Sequence, residues 1–171
     1  DGWSFESNVI RLPKKGAGYL WTRDKYEDFM LELEVNTTGN SGIFFRTNPN
    51  KPVHGGFELQ VLPPSDKEPD DKGFAALYDV RAPKTNASKK GWNHVRIKCD
   101  GPEMAAWLNG KAIWSVDISR WTTPKRNPDG SKNKFKNALA DVPRNNHIGF
   151  QEDGHEVAYR NVRIKRLPEE K

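Results

Sequence analysis

The feature that most limits how this 171-residue chain can fold is a strict alternation of apolar and polar residues in several short runs. Phe29, Leu31, Leu33 and Val35 alternate with Met30, Glu32, Glu34 and Asn36; Phe57, Leu59 and Val61 alternate with Glu58 and Gln60; Val95, Ile97 and Cys99 alternate with His94, Arg96 and Lys98. A period of two puts one face of an extended segment in a core and the other in solvent, a pattern that fits strands and not helices. The stretch from Tyr159 to Lys165 alternates less cleanly. Between Ala106-Trp107-Leu108 and Lys111-Ala112-Ile113-Trp114 stands Asn109-Gly110, which predicts a two-residue hairpin turn whose central residues both take positive φ. Breakers separate the runs: Pro13, Gly39, Pro49, Pro52, Pro63-Pro64, Pro69, Pro83, Gly91 and Gly101-Pro102. Nothing reads as a helix of more than two turns, and Asp117-Ile118-Ser119-Arg120 reads as a turn. Short strands with turn signals every 8–12 residues predict an all-β fold, a β-sandwich or barrel with the jelly roll leading.

One domain is expected over residues 1–171, interrupted by a long loop at about 119–146 and a second at 63–73; such loops often wall a site. The opening Asp1-Gly2-Trp3-Ser4-Phe5 reads like the middle of a strand, so a leader is expected to have been removed. Hydrophobic residues are only 35% of the chain, yet eight Phe, six Trp and four Tyr exclude a disordered polymer. A chain this long buries roughly 70% of its unfolded surface and needs no staple. Cys99 is the single cysteine, which excludes a disulfide framework and a cysteine-based zinc site. No apolar run approaches the roughly 18 residues of a membrane span.

Lysine and arginine number 28 against 23 acids, a net charge of +5. The excess is concentrated in Arg120, Lys125, Arg126, Lys132, Lys134 and Lys136, opposed by Asp129 among Pro, Gly, Asn and Ser. That composition predicts a solvated surface loop. A nucleic-acid groove interleaves aromatics with its cations; only Trp121 and Phe135 are available here, so no nucleic-acid partner is expected.

Three segments put polar groups where a plain core strand would not. Alternation places Phe44 and Arg46 on one face of Asn40–Arg46, and Glu58 with Gln60 on the face opposite Phe57, Leu59 and Val61. The run Ile148–His155 ends in Gln151, Glu152, Asp153 and an imidazole. Arg46, Glu58, Gln60 and Gln151 converge if these strands share a sheet, although a polar outward face needs no function. Of the four histidines, His54, His94 and His147 read as exposed or structural, whereas His155, beside two acids in a tight turn, is the best placed for tuning. No His-Glu-x-x-His zinc motif, Gly-x-Ser-x-Gly nucleophile elbow or phosphate loop occurs.

Across nearly the whole length, these residues resemble the 3-keto-disaccharide hydrolase domain family. The likeness is carried by Tyr19-Leu20-Trp21-Thr22 with Phe29-Met30-Leu31, Gly39–Arg46, Gly56–Leu62, Ala75–Asp79, Gly91-Trp92-Asn93, Trp107–Gly110, Ile148–Gln151 and Tyr159–Ile164. It implies a concanavalin A-like jelly-roll sandwich of the lectin and glucanase type, and an exported, periplasmic or surface protein acting on a 3-keto-glycoside. The family follows its glutamine with Asp-His-Gly; here Glu152-Asp153-Gly154 follows Gln151 and the histidine comes later, as His155.

Related glucanases carry two catalytic carboxylates on one strand face. Here Glu58 stands in that run, but Gln60 replaces the middle acid and no second glutamate follows. A 3-keto sugar does not need the missing nucleophile: its ketone acidifies the C2 proton, one base removes it, the C1 aglycone leaves, and water adds to the enone. The expectation is Glu58 or His155 as base, with Arg46, Gln60 and Gln151 as donors. Tyr78, Asp79 and Asp153 are expected to line the site, and Trp121 to stack on a sugar ring. No cofactor or metal ligand set is expected, with a divalent cation on the ketone left open. The rival reading is a lectin-like module that binds carbohydrate without cleaving it, since a fold does not determine a function.

Overall fold

The computed structural model describes residues 2–13 and 16–168. Eleven strands run β1 Ser4–Glu6, β2 Val9–Leu12, β3 Leu20–Trp21, β4 Phe29–Thr37, β5 Ser41–Thr47, β6 Phe57–Val61, β7 Asn93–Asp100, β8 Glu103–Leu108, β9 Lys111–Asp117, β10 His147–Phe150 and β11 Val157–Arg166. Two single-turn 3-10 helices, Ile118–Arg120 and Leu139–Asp141, are the helical elements among the described residues. The strands form a seven-stranded sheet, β1-β2-β11-β4-β7-β8-β9, and a four-stranded sheet, β3-β10-β5-β6. The chain is a jelly-roll β-sandwich whose strand pairs are all antiparallel.

The alternating residues close the core as their spacing predicts. Leu31, Leu33 and Val35 of β4 and Val95, Ile97 and Cys99 of β7 face Ile43 and Phe45 of β5 and Phe57, Leu59 and Val61 of β6, all buried in one cluster. Burial pushes the Cys99 thiol up to about 12, so it packs as an inert apolar group. At the β8–β9 turn Asn109 (φ 50°) and Gly110 (φ 82°) both take left-handed backbone, the type I′ requirement. The blurred alternation after Tyr159 is a β-bulge: the register of β11 against β4 shifts between Arg160 and Arg163, with Asn161 at φ 51°.

A second bulge changes the reading of Arg46. On β10, His147 pairs with Thr47 and Gly149 with Phe44, so β5 carries one residue more than its partner. Arg46 sits at φ 47° in this bulge, and the extra residue breaks the alternation that placed Arg46 beside Phe44. Its guanidinium has no exposed surface and turns toward the large sheet. There Nε donates to Glu27 O (2.9 Å), Nη1 to Gly101 O (2.8 Å) and Nη2 to Asp28 Oδ1 (2.9 Å). Asp28 Oδ1 also accepts from the Gly101 backbone N–H. Arg46 therefore ties β5 to the approach of β4 and to the β7–β8 turn. At the other end of β5, Ser41 Oγ shares a buried 2.9 Å hydrogen bond with Tyr159 OH, and the Tyr159 ring stacks on Phe150 at 3.9 Å. Removing one member of a buried ion pair leaves the other uncompensated. Arg46→Met is expected to lower unfolding free energy by about 3 kcal/mol, measured by denaturant melts; a loss within error of zero would show that the tie is dispensable.

Candidate active site

The face of the four-stranded sheet turned away from the core is built from the even-numbered residues of β6. Phe44 pairs with Glu58 and Gly42 with Gln60, and on β10 Gly149 lies between Trp21 and Phe44. The segment after β6 returns beside it: Gln60 N donates to Ala76 O, Tyr78 N donates to Glu58 O, and Leu59 bridges Leu77. Leu77 enters the core, so Tyr78 projects with Glu58. One transverse row therefore reads Trp21, Gly149, Phe44, Glu58, Tyr78. A neighbouring row holds Gln151, Gly42 and Gln60, because Gln151 N donates to Gly42 O at 2.9 Å.

Glycine in this second row leaves room for the Glu58 side chain. A Cβ on Gly42 would overlap Glu58 Oε1; the carboxylate lies down on bare backbone and loses water. Its pKa is raised from 4.5 to about 7. Desolvation is the main cause, the Lys134 ammonium opposes it and the Asp153 carboxylate adds to it. Lys134 is half-buried, its Nζ 4.3 Å from the centre of the Tyr78 ring and 5.2 Å from that of Phe135. Burial holds the Lys134 amine below its ordinary range, while Glu58 and Asp79 pull it back up. A carboxylate that titrates near neutrality within electrostatic reach of a partly desolvated ammonium can serve acid–base chemistry.

Lys134 belongs to the loop that composition alone reads as solvated, and here the structure differs. Lys125 N donates to Phe135 O and Asn133 N to Lys125 O, a ladder that folds the loop onto itself. Asp79, buried at φ 59°, accepts from the Lys134 backbone N–H and lies 3.7 Å from Lys72 Nζ. Asp79 thus fastens the wall that carries Lys134.

The other expected residues fall unequally around this centre. Gln60 is buried on the same face, its Oε1 accepting from Val61 N. Gln151 is half-buried, with Oε1 3.5 Å from Asn40 Nδ2, which also donates to Asp153 Oδ2 at 2.7 Å. Arg46, expected as a donor here, is absent from this face because of the bulge. Trp121, expected to stack on a sugar, is only 3% exposed; its Nε1 donates to Asn127 Oδ1 and Arg81 lies 5.9 Å from its ring. Trp121 is a core residue under the basic loop. His155 is exposed, and its ring lies against Gly39; among the described residues it makes no hydrogen bond to Glu58, Gln60 or Gln151. Sequence reasoning missed Lys134, Asn40 and the half-buried ring pair Tyr19 and Trp21. The resemblance had marked Tyr19 and Trp21 without giving them a role. Among the described residues no group of three or more His, Cys, Asp or Glu side chains is arranged to hold a metal ion, and no helix is long and apolar enough to cross a membrane.

Residues 1–165 match the model of a family described as the 3-keto-alpha-glucoside-1,2-lyase-like domain. A 3-keto-disaccharide hydrolase of Bacteroides thetaiotaomicron is 29% identical over 204 aligned positions, covering 96% of this chain and 70% of that protein. A crystal structure from Parabacteroides distasonis, provisionally described as a glycosyl hydrolase, superposes with a TM-score of 0.88 at 29% identity, over 96% of this chain and 90% of the other. Carbohydrate-binding module CBM66 of Bacillus subtilis shares the fold alone, with a TM-score of 0.56 at 14% identity over 95% and 90% of the two chains. Family and relatives together support a glycosidase-like activity.

The raised pKa of Glu58 also has a thermodynamic sign. The folded state keeps this proton up to about pH 7, whereas the unfolded chain gives it up near 4.5. The contribution of Glu58 to stability therefore falls as pH rises through that window, and the full penalty is present above it. Glu58→Gln removes the penalty: relative to wild type the variant is expected to gain up to about 3 kcal/mol between pH 4.5 and pH 8. Parallel urea melts at the two pH values check this, and a pH-independent difference would mean that Glu58 titrates like a solvent carboxylate.

Proposed function

The chain belongs to the 3-keto-alpha-glucoside-1,2-lyase-like domain family, and from that premise we propose that it cleaves the glycosidic bond of 3-keto-glycosides by elimination and hydration, with Glu58 as the base. The observation that carries this reading is the desolvated carboxylate on Gly42, with the Lys134 ammonium acting on it, no second carboxylate on its strand, and Asp153, the other acid that acts on it, held by Asn40. A double displacement needs two carboxyl groups about 5 Å apart. Proton abstraction beside a ketone needs one base and a positive group where the oxyanion forms.

In this mechanism Glu58 takes the C2 proton and the electron pair moves onto the C3 carbonyl oxygen, giving an enolate stabilised by the Lys134 ammonium. The pair then returns to form the C1–C2 double bond as the C1–O bond breaks. Water protonates the departing aglycone, its hydroxide adds to C1, and Glu58 returns its proton to C2. The net change is hydrolysis with the ketone intact. Gln60, Gln151 and Asp153 meet ring hydroxyls, and Tyr78 supports the Lys134 side chain by a cation–π contact. A base with a pKa near 7 is half ionised at neutral pH, where general-base catalysis works best. The relative from Bacteroides thetaiotaomicron, described as a 3-keto-disaccharide hydrolase, supports the same substrate class.

Incubation with a 3-keto-glucoside and with the unoxidised sugar tests the reading. Turnover of the keto form alone is expected, with kcat rising through a pKa near 7. Glu58→Gln is expected to lower kcat at least ~10²-fold and Lys134→Met by about 10²-fold, circular dichroism remaining unchanged. Binding of either sugar without turnover would instead identify a carbohydrate-binding module, and an unchanged rate in Glu58→Gln would remove that residue from the mechanism.

A further inference from the structure

The aromatic residues at the β3 end of the same row have no part in the chemistry above, yet they pack into one cluster beside it. Tyr19 and Phe44 stack with ring centres 5.5 Å apart at 22°, Trp21 and Phe44 lie 5.7 Å apart, and Tyr19 and Trp21 lie 6.0 Å apart. Phe44 is buried beneath, whereas Tyr19 and Trp21 are half-exposed. The Trp21 indole lies directly on Gly149, where a Cβ would collide with the six-membered ring. The indole thus lies over bare backbone while part of its surface stays open to solvent. Phe44 is the cross-strand neighbour of Glu58, so the shelf stops where the carboxylate begins. From Trp21 to Glu58 the row crosses three strand spacings, about 14 Å of sheet. Along its flank runs the polar row of Gln151 and Asn40, with Asp153 accepting from Asn40.

Resting on the proposed reaction and on the disaccharide named for the Bacteroides thetaiotaomicron relative, we infer that Trp21 and Tyr19, backed from beneath by the buried Phe44, form the aglycone subsite, with the second sugar placed C–H face on the two rings and hydroxyls toward Gln151 and Asn40. Two apolar rings tilted 51° to one another, beside hydrogen-bonding groups, match a pyranose, which has an apolar face and a polar rim. A purely aromatic aglycone would use the rings and leave the flank unpaired. The sugar-stacking role that sequence gave to Trp121 thus passes to Trp21, on the opposite side of Glu58 from the basic loop.

Three substrates separate the possibilities: a 3-keto-disaccharide, methyl 3-keto-glucoside and phenyl 3-keto-glucoside. Trp21→Leu and Tyr19→Leu keep apolar bulk over Gly149 and Phe44 while removing the flat ring, and thermal melts check that both variants fold. For each variant KM for the disaccharide is expected to rise at least tenfold, against less than threefold for the methyl glycoside, with kcat on the disaccharide changed less than threefold. In wild type the disaccharide is expected to have a lower KM than the phenyl glycoside. Equal KM changes on disaccharide and methyl glycoside would overturn the subsite and leave the role of Glu58 standing; tighter use of the phenyl glycoside would overturn the sugar assignment. If wild type turns over none of the three, the reaction is wrong but the shelf is still decided by calorimetry with the unoxidised disaccharide. Binding weakened at least tenfold by Trp21→Leu supports the shelf, and binding that is unaffected or absent overturns it.

Discussion

A carboxylate resting on a glycine organises the candidate site. Glu58 occupies a position that would ordinarily hold an outward-facing, hydrated side chain of a half-buried strand. The bare Cα of Gly42 lets it fold down onto the sheet, and the returning Tyr78 segment and the Lys134 loop flank it. Water is displaced from an acid that, among the described residues, has no hydrogen-bonding cation in contact. The ionised form is disfavoured enough to bring its titration to neutrality. Replacing Gly42 would force the carboxylate off the backbone, so the conformation of one side chain and the chemistry of the site share one steric cause.

The surroundings of Glu58 come from four distant parts of the chain. Tyr78 arrives because the segment after β6 turns back to pair with it, and Lys134 arrives because Asp79 catches its backbone N–H. Asn40 arrives at the head of β5, and Gln151 follows β10. None of these placements is made by a helix; all depend on backbone hydrogen bonds at the margin of the small sheet. The basic loop, by composition the most disposable part of the sequence, supplies the cation that acts on the carboxylate.

Alternation sufficed to read β4, β6 and β7, and the Asn109-Gly110 turn, because each depends on neighbours in sequence. Glu58 and Gln60 were legible as a polar pair for the same reason. Arg46 was misread because one left-handed residue in β5 inverts the face of everything after it, and no residue type in Phe44-Phe45-Arg46 announces the bulge. Trp121 was misread because its surroundings are loop-like in composition while its indole is buried by contacts with Asn127 and the folded loop. Lys134 was indistinguishable from five other basic residues nearby; only tertiary docking selects it. Tyr19 and Trp21 were visible as an i, i+2 aromatic pair, but their position beside Glu58 depends on the strand order β3-β10-β5-β6, which connects residues far apart in the chain.

β5 is fixed at both ends by polar groups to the opposite sheet, Ser41 to Tyr159 at its start and Arg46 to Asp28 and Gly101 at its finish. Apolar contacts between sheets resist separation but are indifferent to small sliding motions, since dispersion has little directionality. Two directional anchors along one strand remove that freedom, as a pair of dowels stops a lid from skating on its box. The strand so pinned is the one that bears Gly42 and Phe44. A substitution that merely softens the core between the anchors leaves the floor of the candidate site in alignment, whereas loss of either anchor converts a rigid bed into a hinged one.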